Sequence, residues 1–295
     1  MQPFDLAKLK GRPAFPFETI AVAISFSPRL EALLAESKWI AENLHASLLL
    51  IHVGEKTAEK EARLDKLLTK LAIDEKKCRI NWMDGEPVET ILRLCKLNVV
   101  DLLILGALSK ENLLKFYIGS VARKISRRAK CSVLLLTNPA EGTSKIKRFV
   151  VSGEDHVKTI HTINTAVYLA KHFHVKEISI VKEVHVPGLA MTMAEDSTAP
   201  EASRLRKNLA EADEQELHSV TEKCDKDGIR LIEKVVRGKQ GYAISKYARD
   251  KKADLLILNS PDTQMGFFDR IFTHDIEYIL ADLPCNLMIV HSRPH

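Results

Sequence analysis

One hydrophobic pattern occurs twice in this chain of 295 residues. The segment Val-Asp-Leu-Leu-Ile-Leu at residues 100–105 is repeated as Ala-Asp-Leu-Leu-Ile-Leu at residues 253–258. After similar intervals, a second apolar run begins at Cys131 in the first copy and at Cys285 in the second. Such a duplication makes each copy a structural unit of its own. Because single domains commonly hold about 100–150 residues, the sequence predicts two domains of the same fold, residues 1–140 and 145–295, with a polar boundary that contains Pro and Gly.

Each copy alternates short apolar runs with segments of helical periodicity. The predicted strands of the first copy are 20–24, 48–53, 79–83, 102–105 and 133–136, and those of the second are 149–151, 178–181, 231–236, 253–258 and 287–290. The predicted helices are a helix after Ser27-Pro28, with Ser27 as N-cap, and the segments 64–71, 87–97, 119–130, 157–172, 204–224 and 242–249. Residues 184–202 are interpreted as a mobile excursion. Uninterrupted apolar strands between helices are typical of an α/β fold, so we expect each domain to be a parallel five-stranded sheet with helices on both faces.

Composition argues against several functional classes. The longest apolar runs are far shorter than the roughly 20 residues that a membrane span needs, and residues 1–17 hold three prolines and scattered charges where a signal peptide has an apolar core. We therefore expect a cytoplasmic protein without a membrane span. A net charge of +5, without an aromatic-interleaved basic stripe, does not predict a nucleic-acid partner.

The sequence also lacks the patterns of common catalytic and metal sites. It holds no Walker loop, no Gly-x-Ser-x-Gly elbow and no His-Glu-x-x-His motif. The five cysteines stand far apart without a CxxC pair, which favours reduced, buried thiols. We expect no metal site, no cofactor required for folding and no robust enzyme, with slow ATP hydrolysis left open.

The loop after residues 102–105 has the features of an anion site. Ligands of parallel sheets bind beyond the carboxyl ends of the strands, where the next helix presents unpaired N–H groups. There the chain runs Gly-Ala-Leu-Ser over 106–109, then nine residues, then Gly-Ser-Val over 119–121 at a helix start. Residues 106–130 hold seven Lys or Arg and one acid, Glu111. The pattern predicts a phosphate-binding loop; the alternative is that the glycines only permit turns and the basic residues form a solvated helix face.

The positions of Gly106, Ser109, Gly119 and Ser120 resemble the nucleotide loop Gly-x2-Gly-x9-Gly-Ser/Thr of universal stress proteins. The resemblance extends over nearly the whole chain, through Ser27-Pro28, Gly85-Glu-Pro87, Asp101 and the run Cys-Ser-Val-Leu-Leu-Leu at 131–136. It implies a tandem, cytoplasmic stress-response protein with two Rossmann-like domains of the adenine nucleotide alpha hydrolase type.

For the first domain the resemblance implies a site for ATP, with Mg²⁺, or a related adenine nucleotide. Two residues depart from the family pattern: Ser109 replaces a glycine, and Ser25 stands where ATP-binding members carry an aspartate. The residues assigned to the site are Gly119, Ser120 and Val121 at the phosphates, Gly106 and Ser109 in the loop, Ser25 and the backbone of Val53 at the nucleoside, with Arg123 or Lys110 near phosphate.

The loop of the second copy is expected to be degenerate. It begins Asn-Ser-Pro-Asp at 259–262, reaches Thr273-His274 one residue late, and lacks both marked glycines. Residues 259–283 carry five carboxylates against one arginine, so like charge opposes phosphate there. Ser152 is assigned to the aspartate position, and Thr273 is expected to cap its helix; the alternatives are a different ligand or a partner surface.

These observations predict a stress-response protein that binds an adenine nucleotide in its first domain, so that nucleotide occupancy alters conformation and the affinity for an unidentified protein partner. One alternative is a slow ATP hydrolase or phosphotransfer protein. Another is an interaction or small-ligand module that binds no nucleotide. Because universal stress proteins commonly pair through their last strand, residues 133–136 and 287–290 are expected to join the halves as an internal pseudo-dimer, with homodimerisation left open.

Overall fold

The structure is a computed structural model that describes residues 14–109, 116–139, 146–184, 200–260 and 273–291. Within the segments 108–109, 116–117, 200–206 and 273–275 it describes only the backbone. The chain forms two compact units. The first holds the described residues up to Ile146 together with those from Asn286 onward, and the second holds residues 147–285.

The first unit alternates strands and helices in the predicted order. Its elements are β1 (Thr19–Ala23), α1 (Leu30–Leu44), β2 (Ser47–Val53), α2 (Ala58–Lys70), a 3-10 turn (Glu75–Lys77), β3 (Cys78–Met83), α3 (Pro87–Leu97), β4 (Leu102–Gly106), β5 (Leu108–Ser109), β6 (Phe116–Tyr117), α4 (Ser120–Arg128) and β7 (Ser132–Leu136), with β12 (Asn286–Val290) from the end of the chain.

Five parallel strands form the main sheet of this unit, in the order β3-β2-β1-β4-β7. The apolar side chains of β1, β2 and β4 are almost fully buried, as expected for a sheet covered on both faces. β12 pairs with β7 in antiparallel orientation, with Leu287 opposite Leu135. The expected pairing of residues 133–136 with 287–290 is therefore present.

The strand order reverses between β1 and β4, and this places the helices. Because crossover connections between parallel strands are right-handed, α1 and α2 lie on one face of the sheet, and α3 and α4 lie on the other. Ion pairs join the helices of each pair: Lys70 of α2 lies 2.5 Å from Glu31 of α1, and Arg128 of α4 lies 2.5 Å from Glu89 of α3.

The second unit repeats this plan with four parallel strands in the order β10-β9-β8-β11. The fifth strand of the second copy is β12, which the contacts group with the first unit, so the predicted domain boundaries of 1–140 and 145–295 remain a prediction. The elements are β8 (Phe149–Ser152), α5 (Thr159–His172), β9 (Glu177–Val184), α6 (Pro200–Glu222), β10 (Arg230–Arg237), α7 (Tyr242–Asp250), β11 (Leu255–Asn259) and α8 (Thr273–Ala281).

One local expectation is wrong, and another falls mostly outside the described residues. Helix α1 begins at Leu30 with Arg29 at its N-cap, so the prediction that Ser27 caps it is wrong; Ser27 and Pro28 instead form a turn in which the Ser27 carbonyl accepts from the Leu30 amide. Most of the expected excursion, residues 185–199, lies outside the described residues, and its last residues already belong to α6. None of the described helices combines the length and apolar composition that a bilayer crossing requires.

Candidate functional site

The reversal of strand order makes the carboxyl edge of β1 and β4 the expected ligand position in the first unit. β1 leads into Ser25, which is exposed, and β4 ends at Gly106, which is also exposed. β2 ends beside them at Val53, which is half-buried. Three of the residues assigned from sequence therefore lie at the same edge of the sheet.

Helix α4 presents its N-terminus after this edge. Gly119 is its N-cap, makes no side-chain cap hydrogen bond and has φ −67° and ψ 163°, a conformation that any residue adopts. The first turn holds no acidic residue, and Ser120 and Val121 are exposed. The positive end of the helix dipole and its unpaired N–H groups can therefore receive an anion.

The far end of α4 is fixed to α3. Arg128 donates two hydrogen bonds to the carboxylate of Glu89, at 2.5 and 2.9 Å. This pair raises the pKa of Arg128 and lowers that of Glu89, with the hydrogen bond as the main cause in each case. Both groups are exposed, so the pair contributes little to stability, and it lies at the opposite end of α4 from the candidate site.

A two-stranded antiparallel ribbon, which the sequence did not predict, lies between β4 and α4. Ser109 of β5 pairs with Phe116 of β6, and Leu108 pairs with Tyr117. Because a strand residue has extended backbone, the serine that replaces glycine at 109 does not have to adopt a positive φ. Lys110, assigned near phosphate, lies outside the described residues.

Arg29, which the sequence did not predict as a site residue, also lies at this edge. Its guanidinium donates at 2.8 Å to the carbonyl of Ala107, which follows β4, and also to the carbonyl of Thr137, which follows β7. Burial lowers the pKa of Arg29 from its ordinary value, but an arginine keeps its charge. Arg29 thus holds the start of the loop and adds positive charge beneath it.

An aromatic cluster, formed by Phe26, His52 and Trp82, stands beside Ser25 and Val53. The His52 ring lies edge-on to both partners, at 5.0 Å from Phe26 and 5.1 Å from Trp82 between ring centroids. The Phe26 and Trp82 rings stack at 5.8 Å with an angle of 16° between their planes. The sequence offered one signal, a histidine that interrupts an apolar strand.

Strand register corrects one assignment in the second unit. The same position of the repeated segment pairs Ile20 with β4 and Phe149 with β11. Five residues further on, Ser25 therefore corresponds to Glu154. Ser152, the residue predicted from sequence to stand at the aspartate position, lies two residues before the equivalent of Ser25. An uninterrupted run of apolar residues does not show at which residue the strand ends.

The carboxyl edge of the second unit is held by its own side chains. Lys158, which precedes α5 as Arg29 precedes α1, donates to the carbonyl and hydroxyl of Ser260 at 3.0 and 3.1 Å. Asn259 donates to the hydroxyl of Thr159 at 3.0 Å. In each copy a basic residue stands directly before the first helix, and this was the sequence signal from which its contact with the carboxyl edge could have been predicted. The predicted cap Thr273 begins α8, but its side chain lies outside the described residues.

The two repeated aspartates have a structural role. Asp101 accepts hydrogen bonds from the amides of Glu18 and Thr19 at 2.7 and 2.9 Å, and Asp254 accepts from the amides of Lys147 and Arg148 at 3.1 and 2.9 Å. Each carboxylate thus fixes the start of the first strand of its copy. Within the described part of the chain, no group of His, Cys, Asp and Glu is placed to hold a metal ion.

Comparison with known proteins supports the resemblance. The model of the universal stress protein family matches residues 16–137 and 150–291. No curated protein matches the chain.

Several solved structures match nearly the whole chain. A functionally unknown protein from Pseudomonas aeruginosa PAO1 is 14% identical over 93% of this chain and 92% of its own, with a TM-score of 0.69. A putative universal stress protein from P. aeruginosa UCBPP-PA14 is 15% identical over 93% of each chain, with a TM-score of 0.63. A universal stress protein from Archaeoglobus fulgidus DSM 4304 is 13% identical over 94% of this chain and 99% of its own, with a TM-score of 0.61. At these identities the structures share the fold.

Proposed function

Because the chain belongs to the universal stress protein family, we propose that its first unit binds ATP or a related adenine nucleotide at the carboxyl edge of β1 and β4. The observation that carries this proposal is the N-terminus of α4, where Gly119 leaves the first turn without a side-chain cap and no acid neutralises the helix dipole. A nucleotide phosphate matches this arrangement in charge and in hydrogen bonding.

The remaining residues of the edge complement such a ligand. The amides of Ser120 and Val121 bind phosphate, and Arg29 supplies fixed positive charge near the loop. Ser25 and the backbone of Val53 face the nucleoside. Mg²⁺ enters as the counter-ion of the phosphates and contributes charge neutralisation; the residues named here are cationic or neutral, so the phosphates supply its ligands.

The proposed role is binding rather than catalysis. The residues of this edge include no histidine–carboxylate pair or metal cluster placed to activate a nucleophile, as far as the described residues extend. A nucleotide that prefers one conformation of the first unit shifts its population, and a protein partner that recognises this conformation then binds more tightly.

The test combines identification and titration. Small molecules released from freshly purified protein are analysed by mass spectrometry, and Mg-ATP is titrated calorimetrically into the wild type and into Gly119→Val. Valine adopts the extended backbone of this position without strain, and its side chain is expected to cover the α4 amides. We expect saturable binding in the wild type and at least a tenfold loss in the variant, the equivalent of about 1.4 kcal/mol.

A matched control is Arg128→Gln, which removes a charge from the opposite end of the same helix, where Arg128 binds Glu89. It is expected to keep the affinity within about threefold, since an exposed charge at this distance is screened. A wild type that binds no ATP contradicts the proposal. Steady turnover that disappears in Gly119→Val instead assigns slow hydrolysis to the same site.

A further inference from the structure

Strand β10 is the outermost strand of the second unit. It pairs with β9 from Arg230 to Arg237, and none of the described strands pairs with its other side. The amide of Arg230 donates to the Lys176 carbonyl at 2.9 Å at one end of the strand. At the other end the amide of Gly238 donates to the Val184 carbonyl at 3.1 Å. Because the N–H and C=O groups of successive strand residues point to opposite sides, those of the odd-numbered residues point away from β9. These residues are Leu231, Glu233, Val235 and Arg237.

The apolar side chains of β10 are incompletely covered. Half of the residues of this strand are apolar and each of them is only half-buried, whereas Ile178, Ile180 and Val181 of β9 are buried. The half-buried residues are Leu231, Ile232, Val235 and Val236. A strand edge with free N–H and C=O groups is a template for pairing with another strand. A second strand on this edge would therefore gain backbone hydrogen bonds and bury apolar surface.

The symmetry of a dimer restricts how two copies of β10 can pair. A closed dimer has a two-fold axis, and two neighbouring strands that this axis relates are antiparallel only when the axis is perpendicular to the sheet. Each side chain then lies on the same face of the sheet in both copies, so residues opposite each other must lie on the same face within the strand. Three registers bring the middles of the two strands together under this condition. They place Glu233, Lys234 or Val235 opposite the same residue of the second copy.

Charge selects one of these registers. With Glu233 at the centre two carboxylates oppose each other, and with Lys234 at the centre two ammonium groups do. With Val235 at the centre, Glu233 of each copy faces Arg237 of the other. Opposite charges directly across an antiparallel pair are stabilising and like charges are destabilising. Charges on an edge strand commonly prevent pairing with other edges, and those of β10 permit self-pairing in the register centred on Val235.

Both charged groups of this register are partly accessible in the single chain. The side chain of Arg237 is 49% exposed and donates to Asp213 at 3.4 Å, and that of Glu233 is 31% exposed. Glu233 accepts from the Thr221 hydroxyl and lies 3.1 Å from Nδ1 of His218. All three of these partners belong to α6. Glu233 and Arg237 therefore lie on the same face of the sheet, as pairing across the two-fold axis requires.

We propose that two copies of this chain pair antiparallel through β10, with Val235 at the two-fold axis and Glu233 of each copy bound to Arg237 of the other. The paired stretch covers residues 233–237 of each copy and allows about six backbone hydrogen bonds. Because the same surface serves both copies, the assembly closes at two chains. This interface does not depend on the proposed nucleotide site.

The first experiment measures the mass of the wild-type chain by analytical ultracentrifugation at concentrations from about 1 to about 200 µM. We expect a reversible equilibrium between a monomer and a dimer, with an upper limit of twice the chain mass of 33.2 kDa. A chain that stays monomeric over this range overturns the proposal. Growth beyond a dimer also overturns it, because an interface between two identical edges closes at two copies.

A proline variant tests whether β10 forms the interface. In Val235→Pro the lost N–H points away from β9, so the ladder of the single chain stays intact while a second strand is blocked. The control is Ile80→Pro in β3, the outermost strand of the first unit. The Met83 carbonyl accepts from the Gly54 amide, which follows β2, so the N–H of Ile80 likewise points away from the neighbouring strand.

We expect Val235→Pro to raise the dissociation constant of the dimer at least about tenfold, and Ile80→Pro to leave it within about twofold of the wild type. A dimer that survives Val235→Pro unchanged refutes the interface. A dimer that is lost in Ile80→Pro but kept in Val235→Pro assigns the contact to β3 and refutes it as well.

Charge reversal tests the register and remains informative if Val235→Pro does not fold. Glu233→Arg sets two arginines against each other across the interface, and Arg237→Glu sets two glutamates against each other. Each variant alone should therefore dimerise at least about tenfold more weakly than the wild type. In a mixture of the two variants, both pairs across the interface again have opposite charges. With one variant carrying a fluorescent label, sedimentation of the mixture should show association within about threefold of the wild-type affinity. A mixture that associates as weakly as the separate variants contradicts the register.

Discussion

Gly153 directly follows β8 and lies against Leu217 of helix α6. A Cβ built on it would stand 2.7 Å from Cδ1 of Leu217 and 2.8 Å from Cγ2 of Ile180. Both neighbours are buried, at 1% and 0% exposure. In Gly153→Ala, therefore, the added methyl has to displace Leu217, the strand residue Ile180, or both.

The size of the effect follows from two opposing contributions. Ordinary contact begins near 3.4 Å, so each neighbour has to move by roughly 0.6–0.7 Å, and overpacking of this kind costs about 1–3 kcal/mol. Ile180 is β-branched and lies in the sheet, so Leu217 and its helix must provide most of the movement. Since Gly153 has no positive φ, alanine also restricts the unfolded chain and returns about 0.4–1 kcal/mol. We expect a net loss of about 1–2 kcal/mol, which corresponds to a melting temperature lower by about 3–8 °C.

The assay uses the position of the two tryptophans to follow the first unit separately. Both tryptophans, Trp39 and Trp82, belong to the first unit, so tryptophan fluorescence reports that unit, and far-UV circular dichroism reports both. The control is Gly106→Ala, whose Cβ would meet Leu33 at 3.9 Å, an ordinary contact. Gly153→Ala should lower the dichroism midpoint in heat or urea, and Gly106→Ala should not. The reasoning is refuted if Gly153→Ala is as stable as the wild type or more stable.

Three further predictions concern buried groups. Lys182→Met should lower the free energy of unfolding in urea by about 1–3 kcal/mol, which is the cost of breaking a buried ion pair, reduced because the two carboxylates are partly exposed. The control is Lys171→Met, which removes an exposed ion pair and should change the free energy of unfolding by no more than about 0.5 kcal/mol. Equal losses in the two variants would contradict the argument. Thiol alkylation at pH 8 should be at least about 30-fold slower in the folded chain than in urea, because burial raises the thiol pKa while free cysteine ionises near 8.5. Between the unfolded and folded pKa values, unfolding of the chain releases protons from these thiols. The free energy of unfolding should therefore fall as pH rises from about 8.5 toward 11, and a free energy that stays constant over this range would contradict the prediction. The thiols concerned, with their pKa values, are Cys78 and Cys224 at about 11 and Cys285 at about 12.

Local sequence signals predicted most of the fold. Helix α3 occupies residues Pro87–Leu97 as expected, because proline suits the first turn and the apolar residues recur at helical spacing. The start of α1 could not be read from Ser27-Pro28, since the choice between a cap and a turn depends on tertiary contacts. One of these is the hydrogen bond from Arg63 of α2 to the Ser27 carbonyl, at 3.2 Å.

The candidate site was predicted in part. Ser25, Val53 and Gly106 come together because parallel strands end at a common edge, which the strand pattern implies. Arg29 and His52 were missed because their partners, the carbonyls of Ala107 and Ile24, are backbone atoms with no sequence signature. Register between strands is likewise invisible in an apolar run.

The two copies show how one edge of a sheet can be either completed or left open. In the second, the position of Ile24 is Gly153, and Leu217 of α6 packs against it. Glu183, which corresponds to Val53, accepts from the amides of Gly241 and Ile244 at 2.9 and 2.8 Å and so caps α7.

Together with the Lys182–Glu216 pair, these contacts give several polar groups of that edge partners from the same unit, although the buried Oδ1 of Asn259 has none among the described residues. The first copy has no side-chain cap at the start of α4, and Nε2 of His52, which is itself buried, has no partner in the part of the chain that the structure describes. Because the unpaired amides of a helix end cost free energy unless something binds them, the proposed nucleotide site depends above all on the start of α4.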